Sequence, residues 1–430
     1  MQLPTYRLSA KSPKKDFIFN MFGYTAMSLV SVVLLMIVSY IKGEEVAGIF
    51  SLSYSTAYMM YTVAMFETRT VQVTDTERNF SLSDFMLFRI FTVLLMLTAS
   101  AAFVIIKGFS PEKIILTLII CVYMALLAVS DIFQGSLHLN GYLKNAGFSL
   151  GAQVLLAAAG FTVSLLITGN VFVSSAVMAA IVLVWILAYD VPFARNFGSL
   201  IPKSSAEKLK KLFLATAPLF ISVFINQYNF NTPKYAIDRY LTEVDQSHYG
   251  YLVMPAFIIN LMSMFMFRPQ MVPLSEKWAN KDYRGFGKTV LMLYGWIIIV
   301  LIAALCGGWL LGIPVLNLLY HTNLNEYRTL FMVLLIGGGF SAGSSLTIVL
   351  LAVIRKQRHA LIAYISAFVI ALFVPNLLVK NYGFTGAIFA YLVITSSLFI
   401  LLFAVFLICL KTSMKARASE TQEDENAIHG

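Results

Sequence analysis

The chain has 430 residues, of which 59% are apolar and only 12% are charged, and its mean hydropathy is +0.79. Soluble proteins carry about 25% charged and about 45–50% apolar residues, so this composition excludes a soluble domain and indicates a polytopic membrane protein. The three cysteines lie singly in apolar runs and the five histidines are scattered. We therefore predict no disulfide framework, no metal site and no cofactor.

Apolar runs of about 20 residues predict helices that cross the bilayer. The chain contains twelve such runs, joined by short connections that leave no room for a separate extramembrane domain. They cover residues 17–41, 46–66, 84–106, 113–135, 146–168, 171–190, 212–231, 248–268, 289–311, 328–353, 360–379 and 384–410. The predicted fold class is all-α, a polytopic membrane protein with twelve transmembrane helices.

Lysine and arginine are unevenly divided between the two sides of these spans. If the N-terminus is cytoplasmic, 23 of the 31 basic residues fall in inner segments, 7 fall in outer segments and Arg89 lies within the third span. Cytoplasmic loops of membrane proteins are enriched in Lys and Arg, so both termini are predicted to be cytoplasmic. The net charge of +10 then reflects membrane orientation, and no nucleic-acid partner is expected.

A weak internal repeat relates the two halves of the chain. Residues 65–78 and 264–277 share five identities in 14 positions, and each segment closes the second span of its half. Six spans per half give both halves the same orientation, which predicts two six-helix bundles related by pseudo-twofold symmetry about the membrane normal. The predicted domains are an N-terminal bundle (1–190), a cytoplasmic linker (191–211), a C-terminal bundle (212–410) and a disordered cytoplasmic tail (411–430).

Three arginines are candidates for binding an anionic substrate. Arg69 and Arg268 coincide in the repeat at the inner ends of two spans, and Arg89 lies one turn inside the third span. A guanidinium group binds phosphate oxygens through two N–H groups at once. The alternative for these arginines is that their long side chains reach the lipid headgroups. Arg89 has a further alternative, an internal ion pair with Asp84 or Asp75.

The seventh span becomes polar towards its outer end, over residues 226–240 (NQYNFNTPKYAIDRY). Pro233 predicts that the helix breaks there, and broken helices are where membrane transporters expose backbone to substrate. Side-chain amides suit sugar hydroxyl groups, and basic groups suit a charge at the outer exit. The candidate substrate-binding residues of this segment are Asn226, Gln227, Asn231, Lys234 and Arg239. The alternative is an ordinary outer loop.

Acidic residues are absent from the middle of every predicted span. Glu67, Asp131 and Asp190 all fall near predicted cytoplasmic ends. A cation-coupled exporter of cationic molecules normally needs carboxylates within the membrane. An intramembrane enzyme needs paired acids, or a base beside a nucleophile. The pattern therefore disfavours both classes, and the spacing of Asp131 and His138 is interpreted as fortuitous.

Several of these segments resemble the Wzx-type flippases of bacteria. The strongest likeness is that of residues 231–240 (NTPKYAIDRY) to the seventh-helix signature of that family. Other segments are also similar to that family, and they occur in the same order along this chain as in the family. They are residues 66–75 (FETRTVQVTD), Asp84 with Arg89, residues 254–260 (MPAFIIN) and Phe267 to Pro269. The likeness covers the whole chain in its number of spans.

The resemblance implies a member of the multidrug/oligosaccharidyl-lipid/polysaccharide exporter superfamily, with two six-helix bundles around a V-shaped cavity. It implies a flippase, not an enzyme, that moves a polyprenyl-pyrophosphate-linked oligosaccharide repeat unit across the bacterial cytoplasmic membrane by alternating access. The glycan would serve surface polysaccharide of the capsule or O-antigen type. In such a protein the pyrophosphate would pair with Arg69, Arg89 or Arg268, and the glycan would meet the amides of the seventh helix.

The implied partners are the lipid-linked glycan, membrane lipids, and the glycosyltransferases and polysaccharide polymerase that act on the same glycan. The protein is expected to work as a monomer. Two alternatives stay open at this point. One is a related cation-coupled exporter of small molecules, and the other is a membrane enzyme of glycan assembly.

Overall fold

The computed structural model describes residues 13–75 and 77–429, and it describes their side chains except those of residues 13, 14, 268 and 415–429. Helices make up 90% of the structure, and the described residues contain no strand. The predicted all-α class of a multi-pass membrane protein is confirmed. The contacts of the chain divide it into two compact units, residues 1–224 and residues 225–430.

The first unit contains eight helices and the first part of a ninth. A five-residue π-helix, Ile186–Asp190, follows the seventh. The helices are α1 (Pro13–Lys42), α2 (Glu44–Met65), α3 (Thr68–Thr74), α4 (Leu82–Ile106), α5 (Pro111–Leu139), α6 (Leu143–Thr168), α7 (Val171–Trp185), α8 (Val191–Ala194) and α9 (Ala206–Tyr240).

The second unit begins within α9 and holds six further helices. They are α10 (Glu243–Phe267), α11 (Met271–Ala279), α12 (Tyr283–Gly307), α13 (Ile313–Tyr320), α14 (Arg328–Val353) and α15 (Ala360–His429). A second π-helix, Gly308–Gly312, joins α12 to α13. Within α15, Gly383 has φ 58° and ψ −137°, a conformation that glycine adopts without steric cost. This residue divides α15 into two arms.

Each of the twelve predicted spans lies in helical backbone, to within one residue. Ten helices of the described chain are long and apolar enough to cross a membrane. The number differs from twelve because α15 holds two predicted spans and because α2 is rich in Ser, Thr and Tyr. Most residues of α2 are nevertheless buried, since it packs between α4 and α5.

One helix of each unit is surrounded by the others. In the first unit, α5 packs against α2, α3, α4, α6 and α7, and in the second unit α14 packs against α10, α12 and α15. These two helices are the most buried of the ten spanning helices. Each is the fourth predicted span of its half of the chain. The helices α5 and α14 thus have equivalent positions in the two halves of the chain, which agrees with the internal repeat in the sequence.

The disorder predicted for the tail stays a prediction. The backbone of residues 411–429 continues the second arm of α15 as a helix to His429. This segment contains Lys, Met, Ala, Arg, Glu and Gln, all of which are favourable helix formers. Its polar composition, on which the prediction rested, does not oppose helical backbone.

Glycines allow α1 and α6 to approach closely. A Cβ atom added to Gly147 would lie 2.4 Å from the carbonyl oxygen of Phe19, and one added to Gly23 would lie 2.5 Å from the carbonyl oxygen of Gly147. Real Cβ atoms do not come this near to backbone, so only glycine fits at both positions. Gly147 and Gly151 form a GxxxG pattern, which in membrane helices allows two backbones to pack closely.

Replacing Gly147 by alanine is expected to lower the free energy of unfolding by about 1–3 kcal/mol, because α1 and α6 must move apart. Gly287→Ala is the matched control, since Gly287 also lies within a helix and nothing lies within 4 Å of its added Cβ. Alanine there is expected to stabilise the helix by up to about 1 kcal/mol. Thermal unfolding of the purified protein in detergent measures both changes, and equal effects would contradict the close contact.

Candidate substrate-binding site

A cluster of two arginines and one aspartate lies in the first unit. Arg69 is at the start of α3, Arg89 is in α4, and Asp131 is in α5. The Asp131 carboxylate is 2.8 Å from Nη1 of Arg69 and 3.3 Å from Nη2 of Arg89. The structure therefore brings together two of the three predicted arginines, through an acidic residue that the sequence analysis had set aside.

The turn before α3 positions Arg69. Phe66 and Glu67 both have left-handed backbone conformations, with φ of 44° and 53°. These two residues end α2 and redirect the chain into α3. Phe66 is held by a stacked contact with Phe220, with ring centroids 4.1 Å apart. Gln72 then donates a hydrogen bond of 3.0 Å to the carbonyl oxygen of Ile132, which fixes α3 against α5.

Arg89 is bound by the protein itself. Its side chain is only 2% exposed. It donates hydrogen bonds to the carbonyl oxygen of Ala64 and, at 2.7 Å, to the hydroxyl of Thr68, in addition to its ion pair with Asp131. Thr92 donates to the same Ala64 carbonyl at 2.8 Å. Arg89 therefore joins α2, α3, α4 and α5, and it does not face an open surface.

The alternative for Arg89, an ion pair with Asp84 or Asp75, is wrong, because Arg89 pairs with Asp131. Asp84 forms a capping box with Ser81 at the start of α4 and binds Nζ of Lys208 at 3.2 Å. Asp75 accepts hydrogen bonds from the backbone N–H groups of Asn79 and Phe80. Both acids serve the turn before α4, because short polar side chains readily bind nearby backbone donors.

Arg69 is more accessible than Arg89, and part of its guanidinium group is not hydrogen-bonded to the described residues. Its side chain is 15% exposed, and its Nη1 atom binds both the carboxylate and the carbonyl oxygen of Asp131, at 2.8 and 2.6 Å. Nε of Arg69 is buried and has no hydrogen-bond partner among the described residues, and the same is true of Nε of Arg89. The Nε–Nη2 edge of a guanidinium is one of the edges that bind two oxygens of a phosphate or carboxylate group. Both arginines have an unpartnered Nε atom, and the greater exposure of Arg69 makes it the better candidate of the two for an anionic ligand.

The third predicted arginine, Arg268, starts a short 3₁₀ turn, Arg268–Gln270, at the end of α10. Its side chain lies outside the described part of the structure, so its role as a ligand for pyrophosphate stays a prediction.

The predicted break at Pro233 is wrong, because α9 continues as a helix from Ala206 to Tyr240. Proline has no N–H group and leaves the carbonyl oxygen four residues earlier without its usual donor. In α9 the hydroxyl of Thr232 donates to that carbonyl, the one of Asn229, at 2.8 Å. Side-chain hydroxyls satisfy freed backbone groups in membrane helices in this way. The segment is neither a broken helix nor a loop.

The polar residues of α9 have different surroundings. Asn226 and Gln227 are half-buried, and Arg239 is exposed and lies over the ring of Tyr240. Lys234 is only 6% exposed, so the structure does not place it as an exposed charge at the end of the helix. Asn231 is buried, and its amide donates to the carbonyl oxygen of Gln227 at 2.8 Å. The amides of Asn226 and Gln227 are thus the more accessible of the predicted sugar ligands.

A second buried carboxylate, that of Asp190, lies apart from the arginines. Asp190 ends the π-helix after α7 and has no exposed surface. It accepts hydrogen bonds of 2.5 Å from Ser130 and from Ser149. Trp185 also donates to Ser149, at 3.0 Å. No basic side chain in the described part of the chain lies within 4 Å of Asp190.

The whole chain is similar to solved structures of one group of transporters. It matches an inward-facing and an outward-facing structure of a multidrug resistance MATE family transporter of the MOP superfamily, both with a TM-score of 0.61. The identities are 13% and 15%, over 96% and 95% of this chain and 97% and 98% of those chains. The Vibrio cholerae MATE transporter VcmN in its bent form matches with a TM-score of 0.58 and 12% identity, over 93% of this chain and 97% of that one. The chain has the MATE transporter fold.

No family model matches the chain, and no curated protein matches it. The MATE fold agrees with the predicted superfamily, whereas the flippase subtype depends on the resemblance and on the site. Sequence reasoning missed Asp131 as a member of that site. A usable signal was present, because an acid near the end of an otherwise apolar span requires a partner.

Replacing Asp190 by alanine is expected to lower the free energy of unfolding by about 1–3 kcal/mol, since Ser130 and Ser149 lose a buried acceptor. Asp190→Asn keeps a carbonyl oxygen, and a serine hydroxyl can accept from the new amide, so its cost is expected to be under about 1 kcal/mol. Thermal unfolding in detergent compares the two variants. If Asp190→Asn costs as much as Asp190→Ala, the carboxylate charge and not its hydrogen bonds supports the fold.

Proposed function

We propose that the protein is a flippase that moves a polyprenyl-pyrophosphate-linked oligosaccharide repeat unit from the inner to the outer leaflet of the bacterial cytoplasmic membrane. Transport proceeds by alternating access, with both termini cytoplasmic, and involves no covalent step and no cofactor. The glycan is a building unit of surface polysaccharide, so glycosyltransferases precede the flippase and a polymerase follows it.

The observation that carries this proposal is the exposure and the hydrogen bonding of Arg69. It belongs to a segment that resembles the Wzx-type flippases, its side chain is partly exposed, and its buried Nε atom has no hydrogen-bond partner among the described residues. A guanidinium group matches two phosphate oxygens in geometry and in charge. A lipid-linked pyrophosphate supplies such oxygens on the predicted inner side, where the substrate is made.

The fold supports the transport step. The similar solved structures include one described as inward-facing and one described as outward-facing, each of a MATE family transporter. A protein that changes between two such states exposes one site to each side of the membrane in turn. A flippase needs this exchange for the polar head of its lipid, while the prenyl chain stays in the bilayer.

The buried acids disfavour a cationic substrate. Among the described residues they are Asp75, Asp84, Asp131 and Asp190. Asp84 pairs with Lys208 and Asp131 pairs with two arginines, while Asp75 accepts hydrogen bonds from backbone N–H groups and Asp190 accepts them from two serines. An exporter of cationic molecules needs a carboxylate that the protein leaves available, so the anion-binding capacity of Arg69 favours the flippase.

The proposal is tested with the full chain reconstituted into liposomes. The probe is a fluorescent polyprenyl-pyrophosphate glycan, whose arrival in the outer leaflet is followed by chemical quenching. Matched probes are the same lipid with a neutral headgroup and the cationic dye ethidium. We expect movement of the pyrophosphate-linked glycan alone. Efflux of ethidium without movement of the glycan would contradict the proposal and favour a small-molecule exporter.

A further inference from the structure

The two carboxylate oxygens of Asp131 contact two different arginines, and the protein holds one of these arginines by more bonds than the other. Oδ1 lies 2.8 Å from Nη1 of Arg69, and Oδ2 lies 3.3 Å from Nη2 of Arg89. Arg89 is fixed by its further bonds to Ala64 and Thr68. Arg69 has no such additional side-chain partner among the described residues and is the more exposed of the two. If the carboxylate changes its partner, it is therefore Arg69 that is released.

The longer of the two contacts has room to shorten. Ion-paired hydrogen bonds between nitrogen and oxygen are typically about 2.7–2.9 Å long, and the contact of Asp131 with Arg89 is 3.3 Å. A small rotation of the carboxylate towards Arg89 would strengthen this second bond. The loss of the bond to Arg69 would then be partly offset.

The local charge favours the arrival of an anion. Two guanidinium groups contact one aspartate, so these three side chains together carry one net positive charge. An anion bound to Arg69 would also lie close to the Asp131 carboxylate, and two like charges at such a separation repel each other.

We propose that Asp131 is a positioning residue: an internal counter-anion that occupies Arg69 in the empty protein and that the substrate's pyrophosphate displaces towards Arg89. This inference rests on the proposed function and concerns how that site is regulated.

The displacement of Asp131 from Arg69 would weaken the attachment of α3 to α5. The described contacts between α3 and α5 include the Arg69–Asp131 ion pair and the hydrogen bond from Gln72 to the carbonyl oxygen of Ile132. When the substrate takes over Arg69, the first of these is lost and α3 is less firmly attached to α5. Substrate binding is thereby converted into a local loosening at the predicted inner end of the first unit.

The test uses the full chain in lipid nanodiscs and farnesyl pyrophosphate, a short polyprenyl pyrophosphate, with farnesol as the uncharged control. Isothermal titration measures the affinity. Asp131→Asn removes the competing charge and keeps an oxygen acceptor, so farnesyl pyrophosphate is expected to bind about three- to tenfold more tightly than to the wild type. Asp131→Glu restores the charge and is expected to restore the wild-type affinity. Arg69→Ala/Asp131→Asn is expected to show no gain.

A second measurement on the wild type does not depend on how well the variants fold. Hydrogen exchange of residues 68–74 is expected to become faster when farnesyl pyrophosphate binds and to stay unchanged with farnesol. Slower or unchanged exchange with a bound pyrophosphate would overturn the inference.

The outcomes separate the two proposals. If the wild type binds farnesyl pyrophosphate but Asp131→Asn binds it equally or more weakly, the counter-anion role is overturned and the flippase proposal stands. If the wild type does not prefer farnesyl pyrophosphate to farnesol, the flippase proposal fails and the counter-anion role fails with it.

Discussion

Replacing Arg89 by methionine is expected to lower the free energy of unfolding by about 3–5 kcal/mol, the usual cost of removing one partner from a buried ion pair. Methionine fills much of the volume but leaves the Thr68 hydroxyl and the Ala64 carbonyl without the bonds that Arg89 donates. It also leaves Asp131 with Arg69 as its only described ionic partner. Far less folded protein should reach the membrane.

Two comparisons show whether this loss comes from the buried network. Arg78→Ala removes an exposed arginine whose side chain, among the described residues, bonds to Asn140 at 3.0 Å, and it should change stability by less than about 0.5 kcal/mol. The double variant Arg89→Met/Asp131→Asn removes both charges and should recover part of the loss. Thermal unfolding in detergent and the yield of monodisperse protein are the measurements. An Arg89→Met protein that unfolds like the wild type would contradict the structural role.

The fold was predictable from the sequence because its main signal is local. A bilayer-spanning helix needs about 20 apolar residues, and each of the twelve runs lies in helical backbone. The least typical helix is α2, whose serines, threonines and tyrosines lower its hydropathy. Its length and its position between two stronger spans still identified it. Its burial, in contrast, follows from packing against α4 and α5, which no local pattern reveals.

The candidate site was only half predictable. Arg69 and Arg89 stand out as charges beside apolar runs, but their shared partner Asp131 lies 62 and 42 residues away along the chain. The alternative ion pair of Arg89 was with Asp84 or Asp75, which are near Arg89 in sequence. The break predicted at Pro233 is wrong for a related reason. The rule that proline breaks a helix does not consider the hydroxyl of Thr232, which donates to the carbonyl oxygen that proline leaves without its usual donor. Helical spans follow from composition, whereas a buried polar network depends on which helices meet.

Arg69→Ala is expected to reduce movement of the pyrophosphate-linked glycan at least about tenfold, while the protein folds and reaches the membrane. Loss of a charge-assisted bidentate contact is worth about 1.5–3 kcal/mol, and each 1.4 kcal/mol corresponds to a factor of about ten. Stability should fall by only about 1 kcal/mol, since Asp131 keeps its pair with the buried Arg89. The liposome assay measures transport, and thermal unfolding measures stability.

The Arg69→Lys variant shows whether transport requires the planar shape of the guanidinium group or only its positive charge. Lysine restores the positive charge but presents a single ammonium group, which cannot bind two phosphate oxygens in the planar geometry of a guanidinium. Transport by Arg69→Lys is therefore expected to lie between that of the wild type and that of Arg69→Ala. Arg78→Ala, which removes an exposed arginine nearby in the sequence, should transport like the wild type. If Arg78→Ala and Arg69→Ala lose activity equally, the substrate responds to the general positive charge of the inner surface. If only the Arg69 variants lose it, the guanidinium group of Arg69 is the feature that recognises the pyrophosphate.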